Sequence, residues 1–441
     1  MLVRHHYVVA EGWWAPYGPD VPHMLFSLSK SFTATAVGLA LDEGRLTLDD
    51  PVRSFFPAED PAISEQGLHA LRVRHLLTMS TGHTQDPIAE LSRRGGDHWV
   101  RGFFQSPIDE EPGTHFVYNN AATYMLSAIV HRVTGQSVLD YLTPRCLAPL
   151  GIHQAIWETS PEGVNLGFSG LRMRTEDIAA FGQLYLNRGL WQGRRLLSAE
   201  WVREATRIQV ANGTDPDSDW AQGYGYQFWR CRHAAYRADG AYGQFCVVLP
   251  EQDAVVVLTA GVGDMQALLN LVWRHVLPSL SPSPMADDPA SHAELVGRLS
   301  ALRLDAVPPT PLAVSLPAIS GRYRLAANSA GVTAVNLAAT PEGHLHLQVE
   351  TGKTVTGVVC GVGAYHLGTF LSLFWDHLPS EPVLALAEGD GNHGLKITLR
   401  FYQTPFTEYL ALSWPDISTM RVVVTRNVDP GTRELWTGSR D

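Results

Sequence analysis

The pattern of apolar and polar residues differs between the first two thirds of the chain and the remainder. In the first part, apolar residues recur with the spacing of amphipathic helices. The pattern predicts one helix over residues 29–43 and a second in "NNAATYMLSAIVHRVTG", capped by Asn119 or Asn120. Two further helices are predicted in "TEDIAAFGQLYLNRG", capped by Thr175, and in "SAEWVREATRIQV".

Strand-like sequence lies at both ends of this first part. The N-terminal "LVRHHYVVAEGWW" is rich in β-branched and aromatic residues. Residues 224–230, 234–238, 244–249 and 254–259 predict consecutive antiparallel strands with tight turns, before a closing helix in "DMQALLNLVWRHVLPSL". The sequence therefore predicts an antiparallel sheet built from both chain ends, flanked by helices and interrupted by a mostly helical insertion.

The remainder of the chain predicts a separate, all-β domain. "SPSPMADDPASHAEL" has the composition of a linker, which is predicted over residues 281–312. From 313 to 441, short alternating segments such as "HLHLQVE", "LKITLRFYQ" and "RVVVTR" follow one another at hairpin spacing, which is typical of a small all-β barrel or sandwich. The predicted fold class is α+β, with a first domain over residues 1–280 and a β-barrel domain over 313–441.

Composition and charge narrow the possible partners. The 441 residues are 45% hydrophobic and 17% charged, with a formal net charge of −11. An acidic chain without a Lys/Arg run is a poor partner for nucleic acid or anionic membrane. The expectation of a small-molecule or peptide substrate comes from the motifs described below and not from the charge. Four scattered cysteines without a C-x-x-C pair predict reduced, mostly buried thiols. The sequence leaves the oligomeric state open.

The N-terminus and the longest apolar runs bear on location. The opening "MLVRHHYVVAEGWWAPYG" lacks the features of a signal peptide, and no run approaches the ~18 apolar residues of a membrane span. A cytoplasmic protein is therefore expected, with a periplasmic or secreted location left open if an upstream leader is missing from this sequence.

Lys30 draws attention because it is one of only three lysines in a chain that otherwise uses arginine. It follows Ser27 by three residues at the start of a predicted helix, so the hydroxyl and the amine share one face. A serine becomes a nucleophile when a neighbouring base takes its proton, and a buried lysine can serve as that base. The alternative is a serine helix cap beside a solvated lysine.

Two further segments offer matching chemistry. Tyr118-x-Asn120 follows a Pro-Gly turn at the mouth of a predicted helix; tyrosine can shuttle a proton, and asparagine can bind a carbonyl. "RADGAYGQF" is a glycine-rich turn leading into a strand, where backbone N–H groups can approach a ligand. Taken singly, a buried tyrosine with a capping asparagine and an ordinary hairpin turn explain both segments.

Together, these segments resemble the serine hydrolase superfamily of class C β-lactamases and penicillin-binding proteins, in its β-lactamase-related esterase and amidase branch. "FSLSKSFTATAVGLALDEGRLTLDDPV" is similar to the active-site helix, "HLLTMSTG" to a neighbouring loop, and "EPGTHFVYNNAATYMLSAIVHRVTG" to the Tyr-x-Asn segment. "GQFCVVLPEQDAVVVLTAG" is similar to the sheet strands. The resemblance covers roughly residues 1–280.

The resemblance implies a role for each residue of the candidate site. Ser27 would be acylated, Lys30 and Tyr118 would share the general base and acid duties, and Asn120 would orient the substrate amide or the lysine. An oxyanion would lie between the N–H groups of Ser27 and Ala241.

The third motif departs from the family pattern. The family usually has Lys-Thr-Gly, His-x-Gly or Trp-Gly at the position where this chain has Ala238-Asp239-Gly240. The aspartate lacks the cationic or aromatic group that meets a substrate carboxylate, so efficient penicillinase activity is not expected.

The predicted function is a cofactor-independent serine hydrolase of small esters or of D-amino-acid peptides and amides, with weak β-lactam turnover at best. The alternative is a non-catalytic ligand- or peptidoglycan-binding protein of the same fold.

The histidine pairs show no metal-ligand spacing, so no metal is expected. His83 is predicted to be a hydrogen-bonded loop residue, with a place in the lining of the cleft as the alternative. Ser169 in "GFSGL" lacks the Gly-x-Ser-x-Gly of a nucleophile elbow.

Overall fold

The structure is a computed structural model that describes residues 1–59, 66–283, 286–304, 309–374, 379–416, 418–428 and 434–441. The chain divides into two compact units. The first unit comprises Met1–Gly12, Pro22–Ala260 and Asp264–Glu294, and the second comprises Trp13–Val21, Gly261–Gly263 and Leu295–Asp441.

The first unit is built on an antiparallel sheet formed by both ends of its sequence. Its strands are β1 (Leu2–Arg4), β2 (Tyr7–Ala10), β8 (Trp229–Arg230), β9 (Tyr236–Gly240), β10 (Gln244–Leu249) and β11 (Ala254–Leu258). Their order in the sheet is β2-β1-β11-β10-β9-β8. Shorter pairings join β3 (His23–Met24), β4 (Ile156–Trp157) and β5 (Leu171–Met173), and β6 (Leu190–Trp191) with β7 (Arg194–Arg195).

The sheet is covered on both faces, because side chains alternate between two hydrophobic clusters. On β10, Cys246 and Val248 belong to the larger cluster, whereas Phe245 and Val247 belong to the smaller one. All six residues of this strand are buried. The apolar run of β10 is therefore typical of a strand that is enclosed between two layers.

Helices form most of the insertion and both covering layers. They are α1 (Ser29–Asp42), α2 (Gln66–Ala70), α3 (Val73–Leu77), α4 (Ile88–Gly95), α5 (Trp99–Phe104), α6 (Asn120–Thr134), α7 (Val138–Leu142), α8 (Thr175–Leu186), α9 (Ala199–Thr206) and α10 (Met265–Leu271). Helix α1 is buried on nearly every side over its first twelve residues. It packs against α6, and it is placed at the centre of the unit.

Two strand predictions were wrong in their bounds. Residues 224–230 form a strand only at Trp229–Arg230, because Gln227 adopts a left-handed conformation with φ of 61°. The strand predicted over 234–238 instead spans Tyr236–Gly240, since His233 and Ala234 both have positive φ and form the preceding turn. The shift extends the strand as far as Asp239 and Gly240.

The predicted caps had mixed outcomes. Asn119 is the cap of α6, where its side chain accepts a hydrogen bond from the Ala122 N–H. Thr175 is the first residue of α8 and not its cap; that position belongs to Arg174, whose N–H donates to Asp177 at 3.0 Å. All four cysteines are free and buried, as predicted.

The second unit contains the predicted barrel. Strands β12 (Gly321–Leu325), β13 (Val332–Ala339), β14 (Leu345–Thr351) and β15 (Val355–Val362) are followed by β16 (His366–Phe370), β17 (Glu381–Gly389), β18 (Leu395–Arg400), β19 (Thr407–Asp416), β20 (Thr419–Arg426) and β21 (Glu434–Arg440). Parallel pairing of β15 with β17 closes a ring of nine strands, and β16 extends it by pairing with β17.

The segment predicted as a linker has a helix within it. Helix α11 spans Pro289–Ser300, and its start is stabilised by Asp288, which accepts from the Ser291 N–H. A short helix α12 (Leu316–Ile319) precedes the barrel. Among the described residues, no helix is long and apolar enough to cross a membrane.

Candidate active site

Ser27 lies on a single 3-10 turn, Phe26–Leu28, directly before α1. Phe26 has a positive φ of 48°, a strained conformation for a residue with a side chain, and it forces a sharp change of direction before the serine. Its ring meets Tyr242 edge-on at 5.5 Å, on the turn between β9 and β10. The strained turn is thus supported by packing against the sheet.

Lys30 is the buried centre of the site. Its Nζ lies 2.9 Å from the Ser27 Oγ, 2.6 Å from the Asn120 Oδ1 and 3.1 Å from the Phe168 carbonyl oxygen. The Phe168 carbonyl is supplied by a loop that also accepts a hydrogen bond from Thr33 of α1, at the Gly167 carbonyl. Three separate elements therefore converge on one amine.

The arrangement directs a neutral Lys30 toward the serine. A neutral amine has two N–H donors and one lone pair. Asn120 Oδ1 and the Phe168 carbonyl oxygen can only accept, so they take the two N–H groups. The lone pair then faces the Ser27 Oγ, which is the group that has a proton to give.

Burial favours that neutral form. It lowers the pKa of Lys30 to about 7, against an opposing effect from the carboxylates of Asp86 and Asp239. A substantial fraction of the amine is therefore unprotonated near neutral pH, whereas an arginine at this position would stay charged.

Tyr118 stands beside the serine and the lysine. Its hydroxyl hydrogen-bonds with Ser27, and the Lys30 Nζ lies 4.7 Å from the centre of its ring. The ring stacks on Trp229 at 5.4 Å. Burial raises the pKa of Tyr118, with a further contribution from Asp239, so the phenol keeps its proton and can donate it.

Gly240 and Ala241 lie where β9 meets the serine turn. A Cβ on Gly240 would come within 2.0 Å of the Leu25 carbonyl oxygen, so only glycine allows this approach. The Ala241 carbonyl is held by the buried Gln244 side chain, whose Nε2 donates to it at 3.0 Å and to Ala260 at 2.8 Å. Gln244 was not predicted, and it fixes the backbone at Ala241.

Known proteins share this framework. The family model described as Beta-lactamase matches residues 1–267, more than half of the chain. The chain belongs to the beta-lactamase family. The predicted family is thereby confirmed.

Curated relatives agree with the family assignment. The chain is 27% identical over 282 residues to the 6-aminohexanoate-dimer hydrolase of Paenarthrobacter ureafaciens, covering 58% of this chain and 70% of that protein. It is 26% identical over 308 residues to penicillin-binding protein 4 of Amycolatopsis lactamdurans, covering 61% and 79%. The family and its hydrolase member support the predicted class of serine hydrolase.

One solved structure is similar along almost the whole chain. The octameric penicillin-binding protein homologue from Pyrococcus abyssi covers 99% of this chain and 94% of its own, with a TM-score of 0.50 and 17% identity. At that identity the likeness concerns the fold alone.

The structure changes the interpretation of Asp239, the residue at which this chain departs from the family's third motif. Asp239 pairs with Arg237, two residues earlier on the same face of β9, at 2.8 Å from Nε and 2.7 Å from Nη2. Arg237 is completely buried, and its guanidinium lies over the rings of Trp220 and Trp229. The aspartate is therefore one half of an ion pair rather than an isolated negative charge.

Sequence reasoning missed four contributors, namely Asp86, Arg237, Gln244 and the Phe168 carbonyl. Arg237 was detectable, since residues i and i+2 of a strand share a face, but the predicted strand ended before Asp239. The Phe168 carbonyl had no detectable signal, because a backbone group is placed by the loop and not by its side chain. Asp86 accepts a hydrogen bond from the Asn120 side chain at 2.7 Å. It lies four residues after "STG", and nothing in the spacing links it to Asn120.

Two other residues considered in the sequence, His83 and Ser169, have partners of their own. His83 is buried and hydrogen-bonded with Thr81 at 2.8 Å, as expected of a loop histidine. Burial lowers its pKa to about 4, so it stays neutral. The Ser169 carbonyl accepts from Trp157. Across the described ranges, no group of three or more His, Cys, Asp or Glu side chains could hold a metal ion.

Proposed function

We propose that this protein hydrolyses esters or amides through an acyl-enzyme on Ser27. The observation that carries the proposal is the contact of 2.9 Å between Lys30 Nζ and Ser27 Oγ, with the other two contacts of the amine made to carbonyl oxygens. Because these two oxygens take both N–H groups of a neutral Lys30, the lone pair of the amine is left to accept the proton of Ser27.

Acylation begins when neutral Lys30 takes the proton of Ser27 as the Oγ attacks the substrate carbonyl carbon. The oxyanion that forms would be held by the N–H groups of Ser27 and Ala241, a type of contact that is worth several kcal/mol in similar sites. The rigid backbone at Gly240 and Ala241 suits this role, because fixed donors need no rearrangement when charge develops.

Collapse of the tetrahedral intermediate expels the alcohol or amine of the substrate. Tyr118, whose hydroxyl stays protonated and contacts Ser27, gives a proton to the leaving group and is reprotonated from Lys30. A water molecule then attacks the acyl carbon on Ser27 and loses its proton to Lys30, which passes a proton to the departing Ser27 Oγ. The acid product leaves, and the free serine is restored.

The substrate class is proposed from the site and the relatives together. One relative is named for hydrolysis of 6-aminohexanoate dimer, and another is a penicillin-binding protein. Small esters and the amides or peptides of D-amino acids are the proposed substrates, because their binding beside Ser27 does not depend on an available cation on β9. The cation nearest the site on β9, Arg237, is already paired with Asp239, so an anionic β-lactam finds little there to attract it.

The test is the intact mass of the protein after incubation with a fluorophosphonate and, separately, with a penicillin. Wild type should gain one fluorophosphonate, and Ser27→Ala should gain none. Ser169→Ala is the matched control, since it removes a hydroxyl from the "GFSGL" loop and should be labelled like wild type. Folded wild-type protein without an adduct from either reagent would reject the hydrolase and favour a non-catalytic binding protein of the same fold.

A further inference from the structure

Asp86 lies in the loop between α3 and α4, and its carboxylate accepts hydrogen bonds from three neighbouring donors. The Oδ2 accepts from the Asn120 Nδ2 at 2.7 Å. The Oδ1 accepts from two backbone N–H groups, those of Ile88 at 3.1 Å and of Ala121 at 3.3 Å. The Oδ1 therefore joins the start of α4 to the start of α6, and the Oδ2 faces the residue that contacts Lys30.

We propose that Asp86 is a positioning residue that fixes the orientation of the Asn120 side-chain amide, so that Lys30 meets its oxygen and not its nitrogen. The inference rests on the function proposed above, because it concerns how the base is directed toward Ser27.

The orientation follows from the chemistry of the two groups. An ionised carboxylate can only accept hydrogen bonds, whereas the two ends of a primary amide differ, one donating and the other accepting. Asn120 must therefore turn its NH₂ toward Asp86. Its oxygen is then left to face Lys30, at 2.6 Å.

The consequence reaches the nucleophile. With the Asn120 oxygen in place, two acceptors take both N–H groups of a neutral Lys30, and the lone pair faces Ser27. If the amide were reversed, its NH₂ would offer a hydrogen to the same lone pair and compete with the Ser27 hydroxyl. Asp86 thus selects which neighbour the base can deprotonate, without touching the reacting atoms.

Asp86→Asn should reverse the amide. The new side chain would keep its oxygen on the N–H groups of Ile88 and Ala121, since both of those donors are fixed in the backbone. The NH₂ of the new side chain would then face Asn120. The Asn120 oxygen would turn to accept a hydrogen bond from it, and the Asn120 NH₂ would turn toward Lys30. Asp86→Ala, by contrast, leaves the amide free to choose the orientation that suits Lys30.

The experiment compares kcat/KM for a neutral nitrophenyl ester among wild type, Asp86→Asn and Asp86→Ala, with the melting temperature of each. Asp86→Asn should lose roughly 100-fold and Asp86→Ala roughly 10-fold, in line with a misdirected against a missing hydrogen bond. A purely structural role predicts the reverse order, because asparagine keeps the shape and most of the bonds. Equal losses, or a milder Asp86→Asn, would overturn the proposal even if one variant melts early.

Asp109→Asn is the matched control. Asp109 is exposed, and its carboxylate accepts from the Thr84 hydroxyl near the same loop, so the change removes one charge without reaching Asn120. Its kcat/KM should stay within about twofold of wild type, as expected of an exposed site. A loss as large as that of Asp86→Asn would show that charge alone explains the effect.

The pH profile gives a second readout. The ionisable groups that face Lys30 are Asp86, Asp239 and Tyr118, and Asp239 is held by Arg237. Since Asp86 raises the pKa of Lys30, both Asp86 variants should move the acid limb of kcat/KM to lower pH while lowering the plateau. An unmoved limb would contradict the proposal. Failure of the proposed function is distinct, since wild type itself would then form no Ser27 adduct.

Discussion

Two buried cations in the first unit behave in opposite ways. Lys30 is 1% exposed and touches only neutral oxygens, and its pKa falls to about 7. Arg237 is 0% exposed, and against the effect of burial its pKa is raised above the ordinary value by Cys231 and by the carboxylate of Asp239, which it contacts directly. The guanidinium stays charged, whereas the amine is poised to lose its proton.

The difference shows what turns a buried cation into a base. Burial disfavours charge at both places, and the outcome depends on whether an anion is in contact. The carboxylates of Asp86 and Asp239 lie beyond the groups that contact Lys30 directly. They raise its pKa, but not enough to bring it back to the ordinary value of a lysine. The side chain matters as well, since an arginine would resist deprotonation in either environment.

Replacing the base should have the largest effect. Lys30→Arg keeps the charge and some of the contacts but supplies no lone pair, so kcat/KM for a nitrophenyl ester should fall by about 10³- to 10⁴-fold, near the upper range for general acid–base catalysis. Steady-state kinetics would measure the loss. A variant within tenfold of wild type would show that Lys30 is not the base.

Breaking the ion pair should cost stability. Arg237→Met leaves Asp239 buried without its partner, which costs about 3–5 kcal/mol of unfolding free energy in comparable pairs. The double variant Arg237→Met/Asp239→Leu removes both charges and should recover most of that loss. Urea denaturation of the three proteins is the measurement, and a double variant as unstable as the single one would refute the argument.

The sequence predicted the layers of the molecule more successfully than their edges. The sheet of both chain ends and the closed barrel are repeated patterns, which persist when a single position is misjudged. Strand β9 was misplaced by two residues, since the left-handed residues His233 and Ala234 are neither glycine nor asparagine and give no turn signal. The helix in the predicted linker was missed because its composition is that of a loop.

The candidate site shows the same limit at closer range. Ser27, Lys30, Tyr118 and Asn120 lie together, although their roles stay predictions until tested. Their orienting partners depend on tertiary contacts across long stretches of sequence: Asp86 is 34 residues from Asn120, and Phe168 is 138 residues from Lys30. No local pattern encodes such pairings.

The pH dependence should separate the two cations directly. Protonated Lys30 cannot accept the serine proton, and its pKa is about 7. The wild-type kcat/KM should therefore be level above that pH and fall about tenfold for each unit below it. Arg237 should contribute no limb over the same range. A level profile from pH 5 to 8 would contradict the lowered pKa of Lys30.

The smallest expected effect concerns the net charge of the Arg237–Asp239 pair. Asp239→Asn leaves the positive charge of the Arg237 guanidinium unbalanced near the site. Acylation by an anionic penicillin should therefore rise about 2- to 5-fold relative to labelling by a neutral fluorophosphonate, because the attraction between guanidinium and penicillin carboxylate is weak and screened. The rise should fade in high salt. Mass-spectrometric rates of both reactions give the ratio.

The double variant Arg237→Met/Asp239→Leu decides between a neutral pair and a repelling aspartate. If the pair is neutral overall in the wild type, removing both charges should leave the ratio of penicillin to fluorophosphonate labelling unchanged. If Asp239 acts as an uncompensated negative charge, the double variant should gain penicillin labelling as Asp239→Asn does. The direct contact of 2.7 Å between guanidinium and carboxylate favours the first outcome. Poor reaction with penicillins would then reflect the lack of an available cation in the pair and not repulsion by its carboxylate.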